Sequence, residues 1–160
     1  MKINFVLFTF LFLSPLKAAE FIYDVYGSYE IIDTISVLDG KTNYMIYQNT
    51  GVFTSNTPFF GTTRCSGIFI EKEGLMSIDT LCENTSGKYK WYPRFINKNK
   101  EGMTNIFDFV VSEGNGPWAE MVGQKCSGAY VPIEPNSYMY KGKCNIPDAS
   151  FERMINFKDE

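Results

Sequence analysis

The spacing of the cysteines constrains this chain more than any other feature, because it implies an antiparallel pairing. Cys65 and Cys82 lie symmetrically about the Glu73-Gly74 step of the run EKEGL, a turn signal. Cys126 and Cys144 lie symmetrically about Pro135 in the run EPNS, a second turn signal. Residues equidistant from a turn face each other on the arms of a hairpin. Four cysteines allow three pairings, and this symmetry selects Cys65–Cys82 and Cys126–Cys144. Alternation agrees. The Cys65/Cys82 face also carries Gly67, Phe69, Met76, Ile78 and Thr80, and the Cys126/Cys144 face carries Gly128, Tyr130, Tyr138, Tyr140 and Gly142. Such period-two patterning marks strands with one buried face. The first arms open with nearly the same pentapeptide, CSGIF at 65–69 and CSGAY at 126–130, so the two hairpins share one layout. Gly67 and Gly128 follow each cysteine by two residues, where a strand glycine marks curvature or the close approach of another group. A redox-active thiol pair is the competing reading, but there is no CxxC and nothing nearby to depress a thiol pKa.

Disulfides need an oxidising compartment, and the N-terminus points to one. The chain opens MKINFVLFTFLFLSPLKAAE: a basic Lys2, an apolar run over 3–13 broken only by Asn4 and Thr9, then Ser14-Pro15 and the small residues Ala18 and Ala19. This is the pattern of a cleaved secretory signal peptide, and the apolar run falls short of the ~20 residues a spanning helix needs. Cleavage is expected after Ala18 or Ala19. The expected organisation is a signal peptide at 1–18, one β domain at 19–147 and a helical tail at 148–160, in a secreted or periplasmic protein with no membrane span.

Charge and composition exclude several chemistries. Removing Lys2 and Lys17 with the signal peptide takes the formal net charge from −3 to −5, and no basic run remains, so nucleic acid is not an expected partner. The chain has 0 histidines, which excludes histidine-based triads, histidine general bases and histidine-ligated metals. No GxSxG, P-loop, HExxH, EF-hand or dinucleotide fingerprint is present. No cofactor and no metal are expected.

Most of the remaining chain reads as short strands. These are FIYDVYGSYEII at 21–32, NYMIYQ at 43–48, GVFT at 51–54, KYKWYPRF at 88–95 and NIFDFVVS at 105–112. Pro93 marks an edge or a bulge. Polar INKNKEG at 96–102 reads as a turn, SNTPFFGTT at 55–63 as a loop exposing Phe59 and Phe60, and the Gly114-x-Gly116 turn as leading into a strand. Short strands at near-regular spacing with glycine-rich turns indicate an antiparallel sandwich or barrel. DASFERMINFK at 148–158 departs from this: Asp148 is a candidate N-cap, and Phe151, Met154, Ile155 and Lys158 follow helical spacing.

One stretch carries a family resemblance. Gly114-Asn115-Gly116-Pro117-Trp118-Ala119-Glu120-Met121-Val122-Gly123-Gln124-Lys125-Cys126-Ser127-Gly128-Ala129-Tyr130 resembles the glycine-rich hairpin of the allene oxide cyclase and dirigent-type β-barrels and of small exported bacterial proteins built on that barrel. The resemblance implies an antiparallel barrel of about eight strands with an apolar interior, and it leaves room for a homo-oligomer. The cysteines depart from the plant members, and no catalytic residue of those enzymes maps onto this chain, so no activity follows.

Three functions suit such a barrel. The first is non-catalytic binding of a small apolar or aromatic molecule. Phe69, Trp91, Tyr130, Tyr138 and Tyr140 are candidate lining residues by alternation, or else they fill an ordinary core. Three tyrosines on one hairpin face need partners or water if buried, which fits a partly wet cavity. The second is an enzyme using a buried carboxylate or tyrosine, as in isomerase or cyclase chemistry. Asp108, between Phe107 and Phe109, is the carboxylate to watch: if the Ile106/Val110 face points inward it is buried with a raised pKa, and if the phenylalanines do, it is a solvated charge. Asp79 reads as a surface charge; Arg64 and Arg94 could bind a ligand carboxylate, though single arginines more often face solvent. The third is an interaction or structural protein of the cell envelope. Asn84-Thr85-Ser86 fits a glycosylation sequon.

Overall fold

The computed structural model describes residues 18–101, 105–133 and 135–158. Apart from Ala18, the expected signal peptide lies outside them. The chain forms β1 (Ala18–Ser36), β2 (Thr42–Ser55), β3 (Gly61–Lys72), β4 (Leu75–Ser86), β5 (Tyr89–Glu101), β6 (Ile106–Gly114), a 3-10 helix (Gly116–Met121), β7 (Lys125–Ile133), β8 (Ser137–Pro147) and α1 (Asp148–Ile155). The eight strands run in chain order around a closed antiparallel barrel, with β8 hydrogen-bonded back to β1. Closure leaves no strand at the edge of the sheet. It is reached without any long connection, because every strand pairs with its neighbour in sequence.

Side-chain alternation decides what faces inward. On β8, Tyr138, Tyr140, Cys144 and Ile146 are buried while Lys141, Lys143 and Asn145 face solvent. Cys65 stands opposite Cys82 and Cys126 opposite Cys144, and both disulfides form. The β3–β4 hairpin turns at Glu73-Gly74 and the β7–β8 hairpin turns after the Ile133/Ser137 pair, as the cysteine symmetry requires. Pro93 sits at a register shift between β5 and β6, where its missing N–H does not break the ladder.

One end of the barrel is closed by an aromatic plug. Trp91 and Trp118 stack at 5.3 Å and are both 0 % exposed. Phe21 and Phe53 stand edge-on to both indoles, the arrangement that ring quadrupoles favour. Trp118 comes from the 3-10 helix, not from a strand. This corrects the expectation that Gly114-x-Gly116 leads into a strand. Gly116 takes a positive φ of 56°, and Pro117 then fixes its own φ and offers no N–H to a ladder. The chain coils for about two 3-10 turns and drops its tryptophan into the barrel. The α1 helix covers this end, burying Met154. Its Arg153 donates from Nε and Nη2 to the two carboxylate oxygens of Glu120 at 2.6 Å each, which ties the helix to the 3-10 segment.

Four local readings are revised. The runs 43–48 and 51–54 form the single strand β2, with Asn49 and Thr50 still paired to both neighbours. The polar run at 96–101 continues β5, because its backbone keeps pairing with β4. Asp148 is the first residue of α1 and makes no side-chain cap bond; Pro147 holds the cap position. Of the two loop phenylalanines, Phe59 packs against Trp118 at 5.5 Å while Phe60 is 71 % exposed.

Two measurements test this architecture. Replacing Cys126 and Cys144 by alanine reopens a short loop and lowers the unfolding free energy by on the order of 3 kcal/mol in the chain-entropy model, read by urea denaturation. Trp118→Ala removes the centre of the plug and costs about 3–5 kcal/mol; a loss below 1 kcal/mol would contradict the stacked plug.

Candidate functional site

The other end of the barrel holds a cavity of ≈ 530 Å³, within the range of small-molecule sites. Two constraints place it there. The plug consumes the large rings at the closed end. At the open end, β1 runs beyond its last pairing with β8 at Ser28 to Ser36, still paired with β2. The β1–β2 side of the mouth therefore stands taller than the β7–β8 side.

The walls combine aromatic rings with a few hydroxyls. Tyr47, Gly67 and Thr80 occupy one row across β2, β3 and β4. Tyr47 and Thr80 share a hydrogen bond between their hydroxyls, and Phe69 stacks on Tyr47 at 4.5 Å. A Cβ on Gly67 would lie 2.2 Å from the Thr80 hydroxyl, so glycine there makes room for that bond. Gly128 plays the same part on β7: a Cβ would lie 2.3 Å from the Tyr140 hydroxyl. The glycine two residues beyond each cysteine therefore gives space to an inward polar side chain. Tyr138 stacks on Tyr130 at 5.5 Å, and Tyr130 meets Phe107 edge-on at 6.2 Å. Tyr140 donates to the Phe107 carbonyl at a long 3.5 Å and packs against Tyr23.

These phenols are held neutral. Desolvation by burial raises Tyr130 and Tyr138 to about 12. It raises Tyr47 and Tyr140 further, and Tyr23 well above the ordinary tyrosine value, with neighbouring phenols adding to the shift in Tyr23. At neutral pH they are hydrogen-bonding groups without charge. Among the described lining residues there is no lysine or arginine, and the one carboxylate is Glu71, exposed at the rim.

Of the residues singled out in the sequence, Phe69, Tyr130, Tyr138 and Tyr140 lie together on the cavity wall. Trp91 does not reach the cavity; it lies in the plug. Asp108 is exposed, with Phe107 and Phe109 turned inward. Arg94 forms a two-pronged pair with Asp79 outside the barrel, at 3.1 and 2.9 Å, and Arg64 lies 3.8 Å from Glu83. Asn84 of the sequon is 1 % exposed and its side chain faces the interior, so the folded barrel does not present it for glycosylation.

Sequence reasoning missed Tyr47, Asn49, Thr63 and Asn84, which also line the cavity. For two of them the signal was present. Counting two residues outward from the Cys65/Cys82 pair puts Thr63 opposite Asn84 on the cysteine face, as observed. Among the described residues no cluster of three or more histidine, cysteine, aspartate or glutamate side chains could hold a metal ion, and no helix is long and apolar enough to cross a membrane.

No protein-family model matches the chain, and no curated protein does. Among solved structures the chain is similar to an enzyme from Penicillium herquei, with a TM-score of 0.55 and 9 % identity over 82 % of this chain and 97 % of that one. At such identity the likeness is one of fold.

The tyrosine environment predicts alkaline sensitivity. The unfolded chain ionises its phenols near 10, whereas the folded barrel keeps Tyr130 and Tyr138 protonated to about 12. Between those values the folded state binds more protons, so its stability falls as pH rises. This contribution is complete below pH 10 and is lost through pH 12. Phenolate absorbance and unfolding free energy, followed together over that window, check it.

Proposed function

We propose that this is an exported binding protein that takes one small, uncharged, largely apolar or aromatic molecule into the open end of its barrel. The observation that carries the reading is the cavity itself: ≈ 530 Å³, walled by aromatic and aliphatic side chains, with neutral hydroxyls and no described cation. Burial of flat apolar surface against Tyr47, Phe69, Phe107 and Tyr130 supplies affinity at roughly 25 cal/mol per Å², reduced by the entropy of association. An anionic ligand would enter without a described counter-charge and would meet Glu71 at the rim, so charge selects against it. Export follows from the N-terminal signal-like run and fits the two disulfides. The glycine-rich hairpin at 114–130 supports a place among the allene oxide cyclase and dirigent-type barrels.

A catalytic reading draws on the structurally similar Penicillium herquei protein, which is an enzyme. The tyrosines here are suited to donate hydrogen bonds to a reacting oxygen. Held this far above neutral they are poor bases, and Glu71 is the only described carboxylate in the lining. Binding without chemistry therefore leads.

Native mass spectrometry of the mature protein, purified from its own compartment, tests the proposal directly. A stoichiometric neutral ligand of aromatic or aliphatic character is the expected result. Met76→Trp, which fills part of the cavity, is expected to weaken binding of 2-naphthol at least about tenfold, with 2-naphthoate bound more weakly than 2-naphthol by the wild type. Equal binding of neutral and anionic probes would remove the charge argument.

A further inference from the structure

The plug-side end of the cavity is polar, and two of its carboxamide oxygens have no hydrogen-bond partner among the described residues. Asn49 on β2, Thr63 on β3 and Asn84 on β4 occupy adjacent strands and contribute to the lining. Register places them side by side: Thr63 faces Asn84, and Asn49 faces Cys65, one inward position along β3 from Thr63. The carboxamide oxygens of Asn49 and Asn84 are buried and have no hydrogen-bond partner among the described residues. Asn84 is 1 % exposed, and its cross-strand neighbour on β5 is Trp91 of the plug. A barrel built only for stability would carry leucine or valine at these positions, since buried amides without partners weaken the folded state.

We infer that Asn49 and Asn84 form a polar subsite that takes the hydrogen-bonding end of the ligand. The inference rests on the binding reading above and narrows its ligand class. The ligand is an apolar or aromatic body with a single neutral polar terminus, such as a hydroxyl, phenol or carboxamide, and it enters with that terminus first. A carboxamide can turn about its last torsion and present either its oxygen or its N–H, so the subsite pairs with a donor or an acceptor. Thr63 lies within the same patch and can complete a hydroxyl's second hydrogen bond. The terminus must replace hydration at both ends of the bond, so it confers orientation and selectivity more than affinity.

The test compares 2-naphthol with 2-methylnaphthalene, a probe of matching shape that cannot hydrogen-bond, by equilibrium dialysis. The readout is the ratio of their dissociation constants. In Asn84→Leu the preference for the naphthol is expected to fall about tenfold, with 2-methylnaphthalene binding held or improved and the melting temperature raised. Asn49→Leu is expected to move the ratio in the same direction, and it carries the test if Asn84→Leu does not fold. An unchanged ratio in folded variants, with both probes still bound, overturns the subsite and leaves the pocket standing. Failure of the wild type to bind either probe overturns the pocket reading and the subsite with it.

Discussion

The stack of Trp91 on Trp118 is the contact on which the layout of the interior depends. An eight-stranded barrel has room for side chains or for one small ligand, and this chain divides its length between packed rings and a cavity. The two indoles, with Phe21 and Phe53 edge-on to them, fill one end. Both indole N–H groups lie there without an acceptor among the described residues. Such orphaned groups are tolerable only where much apolar area is buried with them. Because Trp118 arrives on a 3-10 turn locked by Pro117 and tied to α1 through Glu120 and Arg153, the plug is also where the C-terminal helix docks. The cavity is what remains once these rings are placed.

The disulfides act on a different problem. Each joins directly paired residues on one hairpin, so neither crosses the barrel. They fix register, and register in a β-sheet fixes which face every side chain takes. From Cys65 and Cys82 outward, Gly67/Thr80 and Phe69/Ile78 fall on one side and Thr63/Asn84 on the other, all facing inward. From Cys126 and Cys144 the same count gives Gly128/Gly142 and Tyr130/Tyr140. A slip of one residue would turn the tyrosine and asparagine side chains to solvent. The bridges thus secure the chemistry of the cavity as much as the stability of the fold.

The outward charges form local pairs, and among the described residues the cavity lining carries no charged side chain besides Glu71 at the rim. Lys90 and Tyr92 converge on Glu83, and Arg94 grips Asp79. The Glu83 carboxyl is held below its usual range by Lys90 and Tyr92. Exposed pairs of this kind contribute little to stability. Asp79 and Glu83 thus belong to the outer face, as does Asp108, which alternation on β6 sets opposite the inward-facing Phe107 and Phe109.

Read residue by residue, the chain already carries the pairing and register of the two disulfide hairpins, the inward positions of Phe69, Tyr130, Tyr138 and Tyr140, the terminal helix and the all-β class. These follow from turn residues, period-two alternation and cysteine spacing, all of which are local or span a single hairpin. Asn84 and Thr63 were within reach of the same counting. That Trp91 belongs to the plug and not to the cavity emerges only in the folded barrel, because it depends on Trp118, twenty-seven residues further along the chain, being delivered from a 3-10 helix. The closed barrel also brings Asn49 and Asn84 into the lining of one cavity, since the curved sheet encloses an interior only when β8 pairs with β1.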